Sequence, residues 1–333
     1  MAVYTHVAEA ELEAFLRLYD VGTLTRYEGV AQGVENTNYI VSTSGGRFVL
    51  TLFERRVATE DVPYFLAVMA HFAASGAPAP SPIVMRDGRR LGELAGRPAI
   101  MISFLEGAPD MAPSPARARA RGRTLAGLHE NARGFGGDRT NPLSVDGWRE
   151  LAAACSARLQ SVAETPDWAR DAAALAEDEA AALARDWPDE GTAGLPRGLV
   201  HADLFPDNVF FRGAAVSGVI DFYFSCTDFF AYDLAICLNA WCSAISCRAA
   251  PGDAVWLADN AAALMAGYAE VRDLSGAERA ALPLFLRGSA LRFMLTRLYD
   301  YLHQVDGAVV QVKDPREYER LLRRHREADP SSP

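Results

Sequence analysis

Lysine is almost absent from this chain of 333 residues: Lys313 is the only one, and every other basic side chain is arginine or histidine. A catalytic or phosphate-gripping lysine is therefore excluded before residue 313. The abundance of Arg and Ala is read as compositional bias rather than chemistry. Positive charge is short overall. The formal net charge of −10 argues against nucleic acid as a partner, because a phosphate backbone calls for a basic patch. Long apolar runs are missing too. The most apolar stretch, "AYDLAICLNAWC" (231–242), is too short for a bilayer and carries Asp233 and Asn239. The opening "MAVYTHVAEAELEAF" has neither the basic head nor the apolar middle of a signal segment. No membrane partner and a cytoplasmic location are expected. The five cysteines, Cys155, Cys226, Cys237, Cys242 and Cys247, form no CxxC pair and have no histidines clustered near them. That excludes a recognisable zinc or disulfide framework and leaves buried free thiols. No internal repeat is visible.

What is present describes a globular protein large enough for two lobes: half of its residues are hydrophobic and 23% are charged. Helical spacing marks 8–20. Runs of β character follow at 24–30, 38–43 and 47–54, separated by turn chemistry. Thr59 and Gly76 bracket a helix at 59–76, and 80–104 reads as two or three short strands. Beyond residue 104 the pattern becomes helical, at 115–131, 146–163, 167–185, 229–243, 254–271, 276–304 and 314–326. Only 208–221 reads as strand there, as a short hairpin. The expected fold class is α+β with two lobes: a small, mainly-β amino-terminal lobe (1–103) and a larger, mainly helical carboxy-terminal lobe (104–333).

The densest chemistry lies in "HADLFPDNVFF" (201–211), where His201, Asp203, Asp207 and Asn208 crowd between apolar runs. Asp203 and Asn208 are separated by four residues. In a protein-kinase catalytic loop of that spacing, the aspartate takes the proton of the substrate hydroxyl and the asparagine binds Mg²⁺. A hairpin then leads to "VIDFYF", placing Asp221 at a strand end, where such kinases carry a metal-binding aspartate. ATP brings several negative charges, so hard oxygen ligands must hold Mg²⁺ against its phosphates. One further carboxylate must face the attacking alcohol. On this reading Asp203 is the catalytic base and contacts the substrate, while Asn208 and Asp221 are the metal ligands. The plainer account makes Asp203 and Asp207 turn formers and Asp221 a helix cap; the ordered, hairpin-spaced set speaks against it. His201 is read as a hydrogen-bonding brace, and Asp207 as a second polar contact or a turn residue.

Two further segments fit a nucleotide site. "EGVAQGVENTNYIV" (28–41) lacks G-x-G-x-x-G, but Gly33, Asn36 and Asn38 could lay backbone N–H groups and amides over phosphates; ordinary turn roles are the alternative. "ISFLEG" (102–107) sits at the lobe junction. In a kinase-like fold the backbone of that segment pairs with the adenine edge, which makes Phe104, Leu105 and Glu106 candidates, the latter two through main chain; a simple strand end is the alternative. For Asp233, on an apolar helix, the analogy with a kinase fold implies a structural role, bonding the backbone of the catalytic loop, with catalysis as the alternative; its buried charge needs partners in either case.

"HADLFPDNVFF…GVIDFYF" resembles the aminoglycoside phosphotransferase and choline kinase superfamily, whose fold is protein-kinase-like. "EGVAQGVENTNYIV", "GELAGRPAIMISFLEG", "NPLSVDGW", "IDFYFSCTDFFAYDLAICLNAWC" and "LPLFLRGSALRFMLTRLYDYL" resemble its homoserine kinase branch, over residues 28 to about 302. The resemblance implies ATP and Mg²⁺ as cofactors, L-homoserine as the small-molecule substrate, O-phospho-L-homoserine as the product in threonine biosynthesis, and a monomer by default. The superfamily's third-strand lysine is replaced here by Thr51, as the branch implies, and Arg55 or Arg56 is a candidate for its task. A zwitterionic substrate requires a cation for its carboxylate. Arg292 is the first candidate and Arg297 the second, with Arg287 nearby and Tyr223 as a pocket wall; structural ion pairing and core packing are their alternatives. Another small alcohol (choline, methylthioribose or an aminoglycoside) or a nucleotide-binding pseudokinase are the competing readings.

Overall fold

The structure, a computed structural model, describes residues 4–30, 36–54, 57–112, 114–162, 164–189, 194–243, 256–304 and 313–328. A short helix α1 (Glu9–Leu16) precedes β1 (Leu24–Gly29), β2 (Asn36–Thr43) and β3 (Gly46–Phe53). Helix α2 (Val62–Ala74) then leads to β4 (Gly92–Leu94) and β5 (Arg97–Ser103). The five strands form one antiparallel sheet in the order β1-β2-β3-β5-β4. The two-residue alternation of β3 decides how this lobe is packed. Leu50 and Leu52 join Leu12, Phe15 and Leu16 of α1 with Tyr39, Val41 and Met101. Val49 and Phe53 join Leu66, Met69 and Phe72 of α2 with Ile100 and Ile102. Thr51 shares the second face by strand parity, and this face is continuous with the core of the larger lobe.

The larger lobe opens with a two-residue strand β6 (Ala108–Pro109) and the helices α3 (Pro115–Asn131), α4 (Val145–Ser161) and α5 (Asp167–Asp186). Two small antiparallel sheets follow. β7 (Arg197–Val200) pairs with β10 (Cys226–Phe229), and β8 (Val209–Arg212) pairs with β9 (Ala215–Val219) and β6. The helices α6 (Phe230–Trp241), α7 (Ala258–Ala269), α8 (Gly276–Leu302) and α9 (Arg316–Glu327) complete it. α8 starts on a capping box in which the Ser275 hydroxyl accepts from Glu278 N–H and the Glu278 carboxylate accepts from Ser275 N–H. α3 and α7 touch backbone to backbone at Gly122 and Gly267. A Cβ added to either would meet a carbonyl oxygen of the other helix at 2.1 Å.

The sequence pattern missed β6, β7 and β10. "RGLV" and "CTDF" are too short for alternation to register, and β10 runs straight into α6. Cys155, Cys226, Cys237 and Cys242 are buried free thiols, as expected; Cys247 lies outside the described residues. No helix among the described residues is long and apolar enough to cross a membrane.

Candidate active site

β7 delivers the chain into the loop at His201, and the loop is held from two sides. From α6, Asp233 Oδ1 accepts the N–H of Ala202 at 2.9 Å, while Oδ2 accepts the N–H of His201 at 3.1 Å and faces His129 Nε2 at 3.1 Å. Burial alone would push the Asp233 carboxyl up. The hydrogen bond to His129 and the N–H of His201, with the electrostatic pull of the two imidazoles, outweigh it and hold the group below the ordinary carboxylate value. From α8, Arg292 Nη1 donates to the Ala202 carbonyl at 2.5 Å. Both polar groups of the Ala202 backbone are thus taken. The residue sits at φ +62°, a left-handed conformation that costs a non-glycine residue about 1–2 kcal/mol. The clamp holds this conformation and so fixes the direction of the next residue, Asp203.

His201 joins the two halves of the site. Its Nδ1 accepts the N–H of Asp203 at 3.2 Å, which leaves Nε2 to donate to the Ile220 carbonyl at 3.0 Å. That is the neutral tautomer. Burial lowers its basicity against the opposing charge of Asp233, and its ring lies 4.8 Å from that of Phe222. Asn208 donates through Nδ2 to the Asp203 carbonyl at 2.9 Å, and its own carbonyl accepts from Ile220 N–H at 3.0 Å. Asp221 follows, at φ +64° and ψ 61°, capping a single 3₁₀ turn, Phe222–Phe224. Asp203 and Asn208 therefore belong to one hydrogen-bonded unit with Ile220, the residue before Asp221. The amide oxygen of Asn208 and the carboxylate of Asp221 are hard donors of the kind Mg²⁺ takes. Among the described residues no three His, Cys, Asp or Glu side chains gather as a metal site. An ion here would draw its remaining ligands from phosphate and water, the usual situation of nucleotide-bound Mg²⁺. Asp207 is exposed, 3.8 Å from Lys313.

On the other side of the cleft Thr51 stands in register with Asn38, and its hydroxyl donates to Asn38 Oδ1 at 2.7 Å. The Tyr223 hydroxyl is hydrogen-bonded to Thr51 in turn. Its ring meets Phe53 and Phe65 edge-on, with centroids 5.3 and 5.8 Å apart. Burial and the nearby Asp221 charge, against the opposing bond to Thr51, leave the Tyr223 phenol well above its ordinary pKa. Tyr223 is thus brought under the sheet, away from the α8 arginines with which the sequence grouped it. Asn36 is buried in β2; Gly33, Arg55 and Arg56 lie outside the described residues. At the junction Phe104 lies under the Arg47 guanidinium at 3.7 Å, which also pairs with Glu106 at 3.3 Å. Ser217 Oγ donates to the Glu106 carbonyl at 2.6 Å, and Leu105 packs on Gly218 of β9.

The arginines expected at the substrate have partners inside the protein. Arg292, 1% exposed, serves the loop. Arg297 Nη1 binds Glu317 at 2.6 Å and the Asp314 carbonyl at 3.2 Å. Arg287 pairs with the buried Glu179 at 2.7 Å. Three contributors escaped sequence reasoning: His129, Tyr318, and the Asn141–Asp228 bond (2.7 Å) that ties the segment before α4 to β10. None carries a local signal, because His129 and Asn141 find their hydrogen-bond partners, and Tyr318 its ring neighbours, on distant elements.

Residues 26–274 match the phosphotransferase enzyme family. Curated relatives named homoserine kinase align along nearly the whole chain. The one from Xanthobacter autotrophicus is 50% identical over 99% of this chain and 97% of its own. Those from Methylobacterium radiotolerans and Brucella anthropi are 49% and 48% identical, over 98% and 99% of this chain and 97% and 96% of theirs. Among solved structures, an amicoumacin kinase in complex with AMP-PNP and Ca²⁺ superposes with a TM-score of 0.69 at 16% identity, covering 97% of this chain and 92% of that one. A choline kinase from Cryptosporidium parvum superposes with a TM-score of 0.66 at 12% identity, covering 96% of each. At such identities these two establish a shared fold, the two-lobed kinase-like one. The chain belongs to the phosphotransferase enzyme family and, within it, to the homoserine kinases.

Proposed function

We infer that this protein transfers the γ-phosphoryl group of ATP to the side-chain hydroxyl of L-homoserine, giving O-phospho-L-homoserine, a step of threonine biosynthesis. The observation that carries this is near-50% identity to homoserine kinases along the whole chain rather than along the catalytic loop alone. With ATP as donor, the reaction belongs in the cytoplasm, and a monomer suffices for it.

In this reading Asp203 orients the homoserine hydroxyl and takes its proton as the bond to phosphorus forms. Asp233, Arg292 and His201 keep the Asp203 backbone in place. Asn208 and Asp221 would hold Mg²⁺, which supplies neutralisation of charge on the transferring phosphoryl group. Asn36, Asn38 and the main chain of Leu105 and Glu106 line the nucleotide side. The pairing of Thr51 with Asn38 and Tyr223 occupies the place of the missing lysine. It supports the sheet above the phosphates without adding a charge there.

The test is an ADP-release assay with L-homoserine, choline, methylthioribose and kanamycin, each with Mg²⁺ and with chelator. Turnover of L-homoserine in Mg²⁺ alone is expected. Turnover of another alcohol in preference would keep the kinase and overturn its substrate. ATP binding without any turnover would favour a pseudokinase.

A further inference from the structure

A buried hydroxyl stands beside the catalytic loop, on the side away from the sheet. Tyr318 lies in the first turn of α9 and is 0% exposed. Its ring rests against Phe205 of the loop and Phe293 of α8, with centroids 6.4 and 5.3 Å apart. The Arg297 guanidinium lies 4.6 Å from the ring centroid. The hydroxyl has no hydrogen-bond partner among the described residues. A buried O–H left so is uncommon, and a bound ligand is one thing that completes it. Burial raises its pKa above the ordinary phenol value; Asp203 and Glu317 act in the same sense, Arg297 and Arg292 in the opposite one. The group is therefore a neutral donor standing between charges of both signs.

We propose that Tyr318 is a substrate-contacting, specificity-determining residue whose hydroxyl donates to the carboxylate of the hydroxy-amino acid presented to Asp203. The inference rests on the homoserine reading and deepens it. A zwitterionic acceptor needs a directed donor for its carboxylate. Arg292 is engaged by Ala202, and Arg297 by Glu317 and Asp314. Their positive field persists while their Nη1 donors are directed elsewhere; the buried Nε of Arg292 has no hydrogen-bond partner among the described residues. Tyr318 supplies the direction that the field lacks, and Phe205 and Phe293 supply apolar walls for the methylenes between alcohol and carboxylate. A site that hydrogen-bonds a polar group of its substrate discriminates strongly against analogues without that group, because the partner is then left unsatisfied.

The decisive variant is Tyr318→Phe, which removes one oxygen and keeps the ring. The KM for L-homoserine should rise about tenfold, equivalent to about 1.4 kcal/mol. The KM for ATP and the melting temperature should stay as they are. Inhibition by 3-aminopropan-1-ol, which keeps the alcohol and ammonium but has no carboxylate, should be unaltered. An unchanged KM for L-homoserine overturns the assignment. So does a joint rise of both KM values with a lowered melting temperature, the mark of a packing role. So does an equal weakening of 3-aminopropan-1-ol. A wild-type chain inert toward L-homoserine fails the substrate reading itself, a result distinct from active wild type with an unaltered Tyr318→Phe.

Discussion

Replacing Asp233 by Asn tests how the catalytic loop is held. The wild-type carboxylate is fully buried and accepts the N–H groups of Ala202 and His201 while facing His129 Nε2. Asparagine keeps the shape but has one acceptor. If its oxygen stays with His201 and His129, its NH₂ confronts the N–H of Ala202. An unsatisfied buried donor costs about 1–3 kcal/mol, and each remaining charge-assisted bond weakens by about 1 kcal/mol. The total, about 3–5 kcal/mol, is also the usual cost of breaking a buried charged pair. With an unfolding entropy of about 2.1 cal/mol/K per residue over 333 residues, that lowers the melting temperature by about 4–7 °C. Activity should fall at least tenfold, because Ala202 is then free to leave its left-handed conformation and swing Asp203 aside. Scanning calorimetry and steady-state turnover on the same preparation check both. The pH dependence adds a further constraint. A carboxyl with a depressed folded pKa stabilises above its unfolded value, about 3.9, and that stability is lost as pH falls through the folded value. The gap between wild type and variant should therefore narrow below about pH 4. A melting temperature within 1 °C of wild type at pH 7 and turnover within twofold would refute the clamp.

Asp203→Asn should lower turnover by about 10²–10⁴-fold, the scale of a general base, with nucleotide affinity by calorimetry retained. Asp221→Asn should weaken Mg·ATP binding as well as turnover; unchanged affinity would remove Asp221 from the metal. Arg292→Met leaves the Ala202 carbonyl buried without its donor. We expect a lower melting temperature together with lower kcat and little change in the homoserine KM, whereas a selective KM rise would return Arg292 to the substrate. Thr51→Val should orphan the Tyr223 hydroxyl and Asn38, cost about 1–3 kcal/mol in chemical denaturation and raise the ATP KM. Burial and the neighbouring Arg324 depress His325 to about 4, and His201 is depressed as well. For a depressed histidine the unfolded chain binds the extra proton, so stability is full above about pH 6.5 and declines as pH falls toward the folded value, by up to about 3 kcal/mol for His325. Denaturation between pH 7 and pH 4 should show that decline, and His325→Gln should reduce it.

The sequence by itself determined whatever is written in neighbouring residues. The alternation in 38–54 and the helical spacing beyond 104 specify which faces are buried, so the sheet and most helices were legible. The cluster from His201 to Asp221 was legible as a candidate site as well, because loop and hairpin keep its polar groups within one stretch of chain. The reading of His201 as a hydrogen-bonding brace, and that of Asp233 as the holder of the loop by analogy with a kinase fold, agree with the bonds observed. Only the tertiary structure decided the partners that come from far away. Arg292 read as a cation in need of a partner, substrate carboxylate or protein acid; α8 instead brings it under the Ala202 carbonyl, 90 residues distant. Arg297 found Glu317 on α9 in the same way. Tyr223 follows a metal-side aspartate in sequence, yet it packs upward against Phe53 and Phe65, because the αL residue Asp221 turns the chain there. An arginine's charge and a tyrosine's hydroxyl are properties of the residue. Whether they meet a carbonyl, a carboxylate or a substrate depends on which surface folding lays against them, and no periodicity encodes that.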